Sequence, residues 1–78
     1  MQETYIKGNY RAYYTWQGWQ IEKDEYSLGY KRTLYLSKVY KGHYSFMLDY
    51  LYAKSFKNLE TAKKHIDIMI EQEANNEN

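Results

Sequence analysis

The histidines and carboxylates are the first places to look for chemistry, and their spacing offers little. His43 stands beside Gly42, six residues before Asp49. A general base needs a partner that orients it, and none lies at a useful spacing, so His43 reads as a solvated turn residue. His65 adjoins an apolar stripe and is expected to flank a helix–sheet seam. Asp67 and Glu71 fall one helical turn apart, a spacing that could hold a cation, but a like-charge pair near a helix end is more often simply solvated. No serine, histidine and acid form a nucleophile motif, and no glycine-rich phosphate loop occurs. The chain has no cysteine, which removes disulfides and thiolate metal sites. The expectation is a protein that is not an enzyme, with no cofactor and no metal site.

The residue type that stands out is tyrosine, with eleven in 78 residues, joined by two Trp and two Phe. Tyrosine suits a pleated, half-buried surface, because the ring packs while the hydroxyl reaches water or a partner. The same property makes Tyr and Trp frequent at interfaces. A mean hydropathy of -0.93 shows that rings with polar tips, rather than aliphatic side chains, carry the apolar content. That combination favours a molecule that meets another.

The elements that must position these residues fall into two regimes. Tyr10 to Trp16 and Trp19 to Lys23 read as strands, with Gly18 a tight turn or bulge between them. Residues 24–29 read as the next turn. Tyr30 to Lys41 is a long strand, Lys41-Gly42-His43 a short hairpin connection, and Tyr44 to Lys54 its antiparallel partner. From Asn58 the period changes. Asn58 is an N-cap, and Leu59, Ala62, Ile66, Met69 and Ile70 recur at helical spacing over 59–72. A flexible tail is expected over 74–78. The fold class is therefore α+β: one domain over residues 1–78, a small antiparallel meander of three to four strands packed on one face by a single C-terminal helix. Neither long strand has a cleanly polar side, so the face away from the helix should carry aromatic and aliphatic groups for the N-terminal segment, a second copy of the chain or a partner to cover. Asp49 interrupts an apolar run and is expected to face water with Lys31 or Lys38 across the strand; the alternative is a hydrogen bond to a buried tyrosine or an interface.

Net charge is only +1, yet it is unevenly spread: residues 26–64 carry +6 and the last fourteen residues −4. A basic stretch interleaved with tyrosines is the combination a nucleic-acid surface uses, although lysines on strands also serve solubility and block edge pairing. No apolar run spans a membrane, and Met1-Gln2-Glu3 does not begin a signal peptide, which together favour a cytoplasmic protein without membrane contact.

Two stretches carry a resemblance. The junction Ala53-Lys54-Ser55-Phe56-Lys57-Asn58-Leu59-Glu60-Thr61-Ala62-Lys63-Lys64-His65-Ile66 resembles the strand-to-helix join of the arm-type DNA-binding domains of tyrosine integrases. Gly18-Trp19-Gln20-Ile21-Glu22-Lys23-Asp24 is similar to a strand found in small phage and prophage accessory proteins. The resemblance implies a sheet–helix accessory protein whose partner is a host defence or nucleic-acid-processing complex, as with anti-CRISPR inhibitors. The leading expectation is a protein-binding module using a tyrosine-rich sheet face, with Lys31, Tyr35, Lys38, Tyr40 and Lys41 as contact residues. Direct nucleic-acid binding through the same strand is the first alternative, and a structural homodimer the second.

Overall fold

The structure is a computed structural model, and it describes residues 4–75. Five strands run in chain order as an antiparallel meander: β1 (Tyr5–Lys7), β2 (Tyr10–Thr15), β3 (Gly18–Ser27), β4 (Tyr30–Tyr40) and β5 (His43–Met47). A short 3-10 turn, Tyr50–Tyr52, leads to the helix α1 (Leu59–Asn75). The α+β class and the single C-terminal helix are as the sequence indicates. The added strand is β1, whose three residues are too few to show alternation, pairing Tyr5 with Ala12 and Lys7 with Tyr10.

The helix face forms because residues of the three central strands meet one helical stripe. Tyr10, Ala12, Trp19, Ile21 and Leu36 on the sheet pack with Phe56 and with Ala62, Ile66 and Met69 of α1. Leu59 and Ile70 close the two ends of that stripe. Ile21, Leu36 and Ile66 are the largest fully buried side chains, each stabilising the fold by about 1.5–3 kcal/mol. Asn58 caps the helix as expected, its Oδ1 accepting from the Thr61 backbone N–H at 2.9 Å. The polar ends are tied as well. Tyr5 and Lys7 both donate to Asp67 Oδ1, at 3.1 and 2.9 Å, and Tyr10 donates to Glu73 at 2.7 Å. Helical structure persists to Asn75, past the expected end at 72; residues 76–78 of the expected tail lie outside the described residues.

Two hairpin turns are built alike. Leu28-Gly29 and Lys41-Gly42 all take positive φ, at 50, 81, 48 and 79°, the left-handed pair that matches strand twist in a two-residue connection. The turn expected over residues 24–29 is therefore only its last two residues, and Asp24, Glu25 and Tyr26 belong to β3.

The sheet is not continuous between its two longest strands. β3 and β4 pair from Ser27–Tyr30 to Glu22–Tyr35 and then part. Residues 54–56 fill the gap: Trp19 and Phe56 exchange both backbone hydrogen bonds, at 2.9 and 2.7 Å, and the Lys54 N–H donates to the Leu36 carbonyl at 2.7 Å. To reach that slot from β5, the chain crosses β4 on the face opposite the helix. The strand expected from Tyr44 to Lys54 therefore stops at Met47. Its second half is a strap over the sheet, because Asp49 accepts the Leu51 N–H at 2.9 Å and so caps a turn. Asp49 is exposed, as one of the two expectations had it, but its partner is backbone rather than a lysine across the strand.

A candidate protein-binding cleft on the open sheet face

The face away from α1 is laid down by register. Tyr13 lies opposite Gln20, and Arg11 opposite Glu22, across β2 and β3. Glu22 lies opposite Tyr35 across β3 and β4. Tyr13, Gln20, Glu22 and Tyr35 form a floor of rings and polar groups. The β2–β3 turn raises Trp16 and Gln17 along one side, and the strap brings Tyr50 and Leu51 over another. Between them is an open cleft of about 540 Å³, within the range of roughly 300–1,000 Å³ usual for ligand sites.

Each wall has a local cause. Gly18 takes φ 126°, and a Cβ there would lie 2.7 Å from the Phe56 carbonyl oxygen, so only glycine lets the hairpin and the slot segment approach. Thr15 Oγ1 donates to the Gly18 carbonyl at 2.8 Å and accepts from the Gln17 N–H at 3.2 Å, which fixes the turn carrying Trp16. Gln20 is buried and its amide donates to Gln17 and to Ser55, both at 3.1 Å. It thereby couples the hairpin wall to the strap. The Tyr50 ring meets Tyr35 edge-on at 6.4 Å between centroids, a contact worth about 0.5–1.5 kcal/mol beyond area.

The electrostatics are local. Arg11 gives its two terminal nitrogens to the two oxygens of Asp24, at 2.7 and 2.9 Å, and its Nε to Glu22 Oε1 at 2.6 Å. That fork holds the Asp24 carboxyl below the usual carboxylate range. Burial, followed by the Glu22 charge, pushes the Tyr13 phenol up to about 12, so the ring stays neutral at physiological pH. Among the described residues no group of three or more His, Asp or Glu side chains could hold a metal ion. Asp67 is engaged by Lys7 and Tyr5. His65 lies in the helix–sheet seam, with Nδ1 at 2.9 Å from the Tyr44 hydroxyl and its ring 5.0 Å from Phe56, and burial lowers its pKa.

Of the five residues singled out from the sequence, only Tyr35 lines this cleft. Lys31 is exposed on the same face, opposite Tyr26. Lys38 and Lys41 gather on Tyr40, their Nζ atoms 6.0 and 5.4 Å from its ring centroid. Lys31 and that cluster stand roughly 20 Å apart along β4. Strict alternation would put Lys38 and Tyr40 on the helix face beside Leu36. A bulge between Leu36 and Lys38 resets the register, so Lys31, Tyr35, Lys38 and Tyr40 all share the open face. The cleft residues that sequence reasoning passed over are Tyr13, Trp16, Gln20, Glu22, Tyr50 and Leu51. Trp16 was expected to end the first strand, which stops at Thr15, so the turn that lifts its ring left no signal in the sequence.

No helix among the described residues is long and apolar enough to cross a membrane. Comparison with family models, with curated proteins and with solved structures finds no match to this chain.

Proposed function

We propose that this chain is a small non-enzymatic binding module that engages a partner protein through the open face of its sheet. One observation carries the reading. Trp16, Tyr50 and Leu51, at 89, 65 and 72% exposure, stand around a preformed cleft and serve no core. Large side chains held in water by turns and a strap that are themselves hydrogen-bonded are the anchors a docking surface uses. The likeness of residues 18–24 and 53–66 to small phage proteins supports a host defence or nucleic-acid-processing complex as the partner, met in the cytoplasm.

The test is a selection of random peptides displayed on yeast against the immobilised protein. Peptides that enrich on the wild type and are lost on a Trp16→Ser/Tyr50→Ala variant support the reading. Enriched peptides indifferent to that change, or none at all, contradict it. A second copy of the chain as the occupant would instead appear as twice the monomer mass in solution.

A second reading, direct nucleic-acid binding, is favoured by the β4 bulge, which aligns Lys31, Tyr35, Lys38 and Tyr40 on one face next to Lys41. Glu22 and Asp24 on that same face oppose it, since a phosphate backbone would meet two carboxylates at the centre of its path. Anisotropy of labelled single-stranded DNA, duplex DNA and RNA separates the two readings. No binding is expected at low salt. Micromolar affinity falling by about tenfold or more between roughly 50 and 200 mM salt would move the function to nucleic acid.

A further inference from the structure

From the chemistry of the cleft we infer what it takes: a basic side chain, arginine or lysine, presented by the partner polypeptide. The inference rests on the reading of the open face as a protein-docking surface. Tyr13, Trp16, Tyr35 and Tyr50 surround the opening with aromatic rings, and a ring face attracts a cation through its quadrupole. Among the described residues, Glu22 is the only charged one lining the cleft. It gives Oε1 to Arg11, while its Oε2 takes no hydrogen bond among the described residues. Among the described residues no buried side-chain oxygen lacks a partner, so Oε2 is open to solvent.

The surrounding charges leave that oxygen with work to do. Arg11 is shared by two carboxylates and gives two of its three nitrogens to Asp24, so the triad holds a surplus negative charge. Lys31, on the same face, acts on Asp24 and does not line the cleft. The chain as a whole is +1, while the described lining of the cleft holds one carboxylate and no Lys or Arg. An incoming guanidinium can stack on Trp16 or Tyr50 while it donates to Glu22, a geometry that the planar fork of arginine suits better than a point ammonium.

The test is a titration of capped arginine and capped lysine into isotopically labelled protein, following the Trp16 indole and the Tyr35 and Tyr50 ring signals. Capped citrulline, the neutral isostere of arginine, and capped leucine serve as controls. Arginine is expected to shift those signals with an affinity at least roughly fivefold above citrulline. Glu22→Gln, which keeps an acceptor for Arg11, is expected to erase that preference. Tyr50→Ala, outside the core, is expected to weaken arginine binding and keeps the test open if the Glu22 variant fails to fold. Equal affinity for arginine and citrulline, or shifts confined to residues away from the cleft, overturn the inference. The underlying docking reading is decided separately: selected peptides that need the cleft but carry no basic residue leave it standing while removing the cation.

Discussion

Gly18 joins sequence to site more directly than any other residue, because the hairpin wall and the slot segment meet over its missing side chain. Its φ of 126° and the 2.7 Å approach of the Phe56 carbonyl to a built Cβ exclude any other residue without movement. Gly18→Ala is expected to destabilise the protein by about 1–3 kcal/mol, from strained backbone together with the clash. A denaturant midpoint within error of wild type would contradict that origin. An isolated glycine between two aromatic strands pointed to a turn or bulge at Gly18; the turn is Trp16-Gln17 and Gly18 opens β3, and the reason it must be glycine lies 38 residues away at Phe56. Separation along the chain likewise hid Gln20 and Glu22: Ser55 lies 35 residues from Gln20, and Glu22 meets Arg11 and Tyr35 only through strand register.

Elements with a strong period were legible and elements set by a single side chain were not. The helix showed itself through its cap and its stripe, and Asn58, Ala62, Ile66 and Met69 sit where the spacing puts them. The turn at Leu28-Gly29 was blurred because leucine replaces the asparagine or aspartate that favours this connection. The bulge between Leu36 and Lys38 left no trace, since Ser37 and its neighbours keep a strand-like composition while changing faces. The strap was hidden for a different reason: Tyr50, Leu51 and Tyr52 have strand-forming side chains, and only the Asp49 cap turns them into a crossing. Asp49→Ala is expected to loosen that crossing with a cost of about 1 kcal/mol, as for loss of an N-cap. Hydrogen exchange at the Leu51 amide reads it out. Accelerated exchange there with a small change in thermal midpoint is the expected pattern, and unchanged protection of Leu51 would show that the strap is held by other contacts.

At the scale of the whole molecule, one helix covers one face of a five-stranded sheet, and aromatic side chains populate both faces: Tyr10, Trp19 and Phe56 in the core beneath α1, Tyr13, Trp16, Tyr35 and Tyr50 around the cleft on the other. The tyrosine content and the uneven polarity of the long strands foretold a populated second face. They did not foretell that the chain itself crosses that face and so converts a flat surface into a cleft. Because the walls belong to a hairpin turn and a strap, while the core lies beneath α1, the proposed binding surface is separable from the folding core. Trp16 and Tyr50 can be truncated together with a stability loss of only about 1 kcal/mol, from the Tyr35–Tyr50 ring contact.

That separability makes one measurement decisive. A peptide from the display selection should be titrated by calorimetry into wild-type protein and into the Trp16→Ser/Tyr50→Ala variant, with thermal midpoints recorded for both. The expected result is a loss of affinity of about tenfold or more in the variant, the size of losing a hot-spot anchor, with the variant still folded at the temperature of the titration. Equal affinity for the two proteins would contradict the account and move binding to another surface.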